Sequence, residues 1–172
     1  MKKNMKNYIT KTFGAISFEN VVFDYCEENP KRKFANVEYN NEQITIFLDE
    51  YLYINKINMC LDIIEKYNEI NVIAKNYIFD KYLYKHNNCF RCYFEYFKNK
   101  RFARRINFKC SKQDFEHPVL HIKYNKNNEI IIQICYFLNY NCRFGRSGIL
   151  LCVTMNEQLN IIDFYDLEVY VN

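Results

Sequence analysis

The period of the apolar residues changes twice along this chain, from two to about 3.6 and back to two, and few folds accommodate that order. Ile16 and Phe18 alternate with Ser17 and Glu19, and Val21, Phe23 and Tyr25 continue in the opposite phase after Asn20, which predicts a strand with a bulge. Residues 34–39 and 43–48 flank Asn40 and Asn41, a pair that tolerates the positive φ of a tight turn, so they predict a hairpin with Ile44, Ile46 and Leu48 on one face. From Ile54 the spacing becomes helical. Ile54, Ile57, Leu61 and Ile64 make one stripe, Ile70, Ile73, Ala74, Tyr77 and Tyr84 continue it after a break at Asn68, and Phe90, Phe94 and Phe97 predict a third stretch. Beyond His117 and Pro118 alternation returns in Leu120, Ile122 and Tyr124, then in Ile130, Ile132, Ile134, Tyr136 and Leu138, then in Ile149, Leu151, Val153 and Met155. Polar connections at 125–128 and 156–158 predict hairpins, and 159–164 predicts a fourth strand. Strands on either side of a helical centre are the order of an α+β fold, with antiparallel sheet from the N- and C-terminal strands and two or three central helices.

Nothing in the composition divides that pattern. With 172 residues but only 3 Gly and 2 Pro, the chain is long enough for one core and has no linker-like stretch, which predicts a single domain over 1–172. The start, Met1-Lys2-Lys3-Asn4-Met5-Lys6-Asn7, is basic, but polar and aromatic residues follow where an export signal carries an unbroken apolar run. The longest apolar window, 129–138, falls far short of the about 20 residues of a membrane span. A soluble, cytoplasmic protein without membrane contact is expected. Eight cysteines (Cys26, Cys60, Cys89, Cys92, Cys110, Cys135, Cys142 and Cys152) in a chain so rich in core material predict reduced, mostly buried thiols rather than a disulfide framework.

The net charge of +4 is unevenly placed: residues 98–112 hold 7 basic and 0 acidic side chains, and residues 113–172 hold 4 and 7. Lys98, Lys100, Arg101, Arg104, Arg105, Lys109 and Lys112 are interleaved with Phe102, Ile106 and Phe108, which suits phosphates and bases of a single-stranded nucleic acid as well as it suits a solvated helix end. Cys89-Phe90-Arg91-Cys92 has zinc-knuckle spacing, with His117 and His121 as a second pair, but the gap between the pairs exceeds that of a finger, and packing of one helix face explains the cysteines equally. No metal or other cofactor is therefore expected. The three histidines His86, His117 and His121 come without a nucleophile elbow, a zinc-protease helix or a phosphate-binding glycine loop, so no enzyme activity is predicted. His121, between inward-facing Leu120 and Ile122, is expected to point to solvent. Asp24, Glu27, Glu28, Asp49, Glu50, Asp163, Asp166 and Glu168 fall near predicted strand ends and predict an acidic rim that can meet a basic partner.

Two segments carry a family likeness. Thr12-Phe13-Gly14-Ala15-Ile16 resembles the opening Phe-Gly strand of a loose set of bacterial cytoplasmic domains, several of them immunity proteins beside secreted toxins of the contact-dependent growth inhibition type. Phe144-Gly145-Arg146-Ser147-Gly148-Ile149-Leu150-Leu151-Cys152-Val153, followed by Asn156 and Leu159-Asn160-Ile161-Ile162, is similar to their Phe-Gly-x-Ser-Ile strand entry and closing hairpin, with Arg146 where the pattern has His and Gly148 inserted. The resemblance implies an antitoxin: a protein that binds and neutralises a cognate toxin domain, a nuclease, in the cytoplasm. A nucleic-acid-binding module using 98–112 is the alternative.

Overall fold

The computed structural model describes residues 6–21, 31–79, 115–142 and 145–171, with the backbone alone for 116–117, 138–142, 145–149 and 166–171. In chain order these residues form β1 (Asn7–Thr10), β2 (Gly14–Ser17), β3 (Glu19–Asn20), β4 (Arg32–Tyr39), β5 (Glu42–Asp49), α1 (Glu50–Asn55), α2 (Ile57–Glu65) and α3 (Tyr67–Tyr77). β6 (Glu116–Tyr124), β7 (Ile130–Cys142), β8 (Gly145–Met155) and β9 (Ile161–Val171) complete them. The class is α+β. β1 and β2 form a separate antiparallel hairpin, and the other seven strands form one sheet in chain order, β3 to β9.

That sheet is mixed, which corrects the expectation of purely antiparallel pairing: β5 and β6 run parallel, from Thr45 against Val119 to Leu48 against Ile122. The cause is the long connection. A chain that leaves β5 at Asp49 and crosses one sheet face as helices comes back to the opposite end, and a strand begun there is parallel. The N-terminal and C-terminal strands are thereby fused into one sheet.

The core lies between that sheet and the helices. Ile44, Ile46 and Leu48, Leu120 and Ile122, Ile132, Ile134 and Tyr136, and Leu151, Val153 and Met155 are buried with Leu52, Cys60, Ile63, Ile64, Tyr67, Ile70 and Ala74 in one cluster. Period two in the strands thus placed the inward residues correctly. Turn chemistry held as well: Asn40 and Asn41 have φ of 52° and 65°, the left-handed pair a two-residue hairpin demands. Asn125 and Asn156 each bend the chain by accepting two amides on the side-chain oxygen, from Asn127 and Glu129 and from Gln158 and Asn160.

Three expected details changed. The early strand is two pieces, because Ile16 and Phe18 are both buried while the chain passes from the hairpin to the edge of the main sheet. The helical stripe is broken at Lys56 and at Lys66 instead of Asn68, and the first break turns Ile54 outward to 67% exposure while Ile64 is at 0%. Cys135 and Cys152, buried as expected, face each other across β7 and β8 and are joined as a disulfide, whereas Cys60 is a buried free thiol. Tyr84, the stretch from Phe90 to Phe97, and Val21's successors Phe23 and Tyr25 lie outside the described residues.

A carboxylate docks the hairpin. Glu65, at the end of α2, accepts from the Lys11 amide at 2.5 Å, the Thr12 amide at 3.0 Å and the Thr12 hydroxyl at 2.7 Å, and these bonds hold its pKa below the usual value. Edge-on ring contacts of Phe13 with Tyr39 and Tyr67 close the seam beneath.

Candidate docking surface

α1 starts where β5 stops, and its first residues decide what the end of the sheet shows to solvent. Asp49 does not cap it. At 9% exposure its carboxylate accepts the Tyr124 amide at 3.1 Å, tying β5 to β6, and burial pushes its pKa up although that bond, Arg32 and Lys123 act to lower it. Glu50 pairs instead with Lys33 at 3.5 Å. The next turn buries Leu52 but leaves two apolar side chains in water: Tyr51 is 61% exposed and Ile54 67%. The Tyr51 ring leans on Tyr124 with centroids 5.7 Å apart, and Lys56 Nζ lies 5.8 Å from the Tyr124 centroid. Tyr51, Ile54 and Tyr124 therefore form one aromatic and aliphatic knob.

The rest of this end of the sheet is rigid. Tyr124 pairs with Ile130 and Met155 with Ile161, so the 125–129 and 156–160 turns stand beside the knob. Backbone bonds close both turns, Asn125 with Glu129 at 2.9 Å and Asn156 with Asn160 at 3.0 Å. Three strand spacings, about 14 Å, separate β6 from β9. There Ile162 is 54% exposed, beside the exposed Asp163, whose carboxylate accepts the Phe164 amide at 2.8 Å. Hydrogen-bonded turns beside exposed Tyr51, Ile54 and Ile162 lose little conformational entropy when a partner seats on them.

The sequence-predicted acidic residues are thus scattered. Asp49 is buried, so it is not part of a solvated rim; Glu50 and Asp163 lie at the knob's end of the sheet; Asp166 and Glu168 fall on β9 with their side chains outside the description. Asp24, Glu27 and Glu28, the basic set Lys98, Lys100, Arg101, Arg104, Arg105 and Lys109, and the zinc candidates Cys89 and Cys92 lie outside the described residues, and His117 is described by its backbone alone. Among the described residues no group of three or more His, Cys, Asp or Glu is placed to hold a metal, and no helix is long and apolar enough to cross a membrane.

The sheet face away from the helices corrects the expectation for His121. Its ring stacks on Phe47, centroids 4.9 Å apart and planes 17° off parallel, in place of pointing into water. Burial, helped by the Lys123 and Arg32 cations, lowers its pKa to about 4, so the imidazole is neutral at physiological pH. Beside it Lys123 Nζ donates to Gln133 at 3.3 Å and Gln133 donates to the Thr154 hydroxyl at 3.2 Å. This row knits β6, β7 and β8 together.

Neither Tyr51 nor Ile54 was singled out as a contact from sequence. Ile54 falls in step with Ile57, Leu61 and Ile64, and only the break at Lys56, marked by neither Gly nor Pro, takes it out of the core. Comparison of the chain with family models, with curated proteins and with solved structures finds no match.

Proposed function

We propose that this chain is a noncatalytic immunity-type inhibitor that seats a cognate toxin domain, a nuclease, on the end of its sheet. The knob of Tyr51, Ile54 and Tyr124 carries this reading. Two large exposed side chains, Tyr51 and Ile54, beside a half-buried Tyr124 and rimmed by polar groups, have the composition of a protein-binding hot spot, where Tyr is over-represented. Exposed Asp163 supplies negative charge at the rim, Glu50 being paired with Lys33, and such charge steers a basic nuclease into contact while adding little to final affinity. The immunity resemblance of residues 12–16 and 144–162 points the same way.

Neutralisation in this account takes place in the cytoplasm. There thiol reductants can open the Cys135–Cys152 disulfide, so the pair cycles between the bonded form of this structure and two thiols.

The test is co-expression with the protein domain encoded immediately upstream. The two should co-purify as a complex, and cells carrying both should survive a domain that kills them alone. Absence of a complex together with absence of protection would overturn the proposal. Salt-sensitive capture of RNA by the chain alone, abolished by charge reversal at Arg101, Arg104 and Arg105, would replace it with the nucleic-acid alternative.

A further inference from the structure

We infer that the outer edge of β9 is a strand-pairing site for a basic, extended segment of the partner protein; this rests on the inhibitor reading and names how part of the partner is held. The two edges of the main sheet are unlike. One is β3, two residues long, and so short an edge offers almost no ladder. The other is β9, eleven residues long, bonded on its inner side to β8 from Arg146 against Val171 to Met155 against Ile161. No described strand lies outside it. Because an antiparallel strand directs its amides and carbonyls alternately to its two sides, about half of those eleven residues present theirs to the outer edge.

Natural edges are commonly blunted by Lys or Pro, and β9, Ile-Ile-Asp-Phe-Tyr-Asp-Leu-Glu-Val-Tyr-Val, has neither. Its pairing with β8 shifts register at Ile162, so the regular part of the strand runs from Asp163, and that part is anchored on both faces. Phe164 rests against Tyr77 of α3 with centroids 5.9 Å apart, and the Tyr165 hydroxyl is hydrogen-bonded with Gln133 of β7 on the opposite face. A strand fixed on both faces is a template that costs little to order.

Charge selects the occupant. β9 carries Asp163, Asp166 and Glu168 and no Lys or Arg. A second copy pairing edge to edge would join two strands that each carry three acidic residues and no cation, and like charges on neighbouring strands destabilise a pair. A strand alternating Lys or Arg with β-branched residues, its cations on the face that carries Asp163, instead brings positive charge to that carboxylate while its backbone completes the ladder. Exposed Ile162 and Tyr165 give such a strand apolar contact on the way in.

The experiment uses the full chain and a fluorescein-labelled peptide alternating Lys and Thr. Saturable binding is expected, with protection of β9 amides from hydrogen exchange. Binding should weaken about tenfold in Asp163→Lys and be lost when alternate peptide amides are N-methylated or when Glu replaces Lys. Where Asp163→Lys does not fold, Asp163→Asn retains an acceptor for the Phe164 amide and serves in its place, with a smaller loss. Equal binding of the N-methylated peptide, no binding of the Lys-Thr peptide, or concentration-dependent self-association through β9 would each overturn the inference. The upstream-encoded toxin domain separates the two proposals: if it binds and is neutralised equally well by Asp163→Lys, the edge site is wrong and the inhibitor reading stands, whereas no binding of that domain by the wild-type chain sinks the inhibitor reading.

Discussion

Ile54→Ala and Ile64→Ala remove the same atoms from positions that sequence periodicity treats as equivalent, and the structure sets their consequences far apart. Ile64 is 0% exposed within the core. Removing three carbons there forfeits about 2.4 kcal/mol of transfer energy at about 0.8 per methylene, and the unfilled space raises the loss to about 3–4 kcal/mol. Ile54 is 67% exposed, so only a third of its surface is buried and the same deletion forfeits about 0.8 kcal/mol; the better helix propensity of Ala returns about 0.4 of it. Urea denaturation followed by circular dichroism reads both. With a slope of about 2 kcal/mol per molar, the midpoint should fall by about 1.5–2 M for Ile64→Ala and by about 0.2 M for Ile54→Ala at unchanged slope. Equal losses in the two variants would show that α1 and α2 are one continuous helix with a single buried stripe, and the knob would not exist.

Three further outcomes follow from particular side chains. His121 has its pKa depressed to about 4 from 6.5, so its contribution to stability is complete above pH 6.5 and is lost as the pH falls towards 4; denaturation midpoints of His121→Phe should be flatter than wild type across that window. Tyr67 and Tyr136 are buried with hydroxyl pKa values raised far above 10, chiefly by burial, so stability is complete below pH 10 and is lost as the pH climbs beyond it. Tyrosinate absorbance should show these two rings ionising together with unfolding, and Tyr67→Phe should lessen the alkaline loss. Cys135 and Cys152 should appear as one linked peptide pair in non-reducing digests of air-exposed protein, and as two alkylated thiols in cells quenched with iodoacetamide; two thiols in both samples would refute the pairing.

The sequence made the inward faces of the strands legible because alternation is a direct image of the pleat: each of Ile44, Ile46, Leu48, Leu120, Ile122, Ile132, Ile134, Leu151, Val153 and Met155 is buried. Asparagine marked the turns for a similar reason, since its short amide tolerates left-handed backbone and bonds neighbouring amides. What stayed hidden depends on relations between distant segments. The parallel contact of β5 with β6 follows from how a long crossover returns, and no residue in either strand records it. The stacking of His121 on Phe47 needs that same contact, so a histidine with polar neighbours in the fold looked solvent-facing in the chain. Acidic residues near strand ends proved unequal: Asp49 secures the Tyr124 amide inside the fold, whereas Asp163 is exposed on β9, which has no described strand on its outer side.

The central claim is that this protein acts through an exposed, protein-facing surface at the end of its sheet. Isothermal titration of the protein domain encoded immediately upstream, the proposed partner, into wild type and into Tyr51→Ala/Ile54→Ala tests it most directly. The account predicts tight binding by wild type, at least about a hundredfold weaker binding by the double variant, and near-equal urea midpoints for the two proteins. Undiminished affinity in the double variant would contradict it.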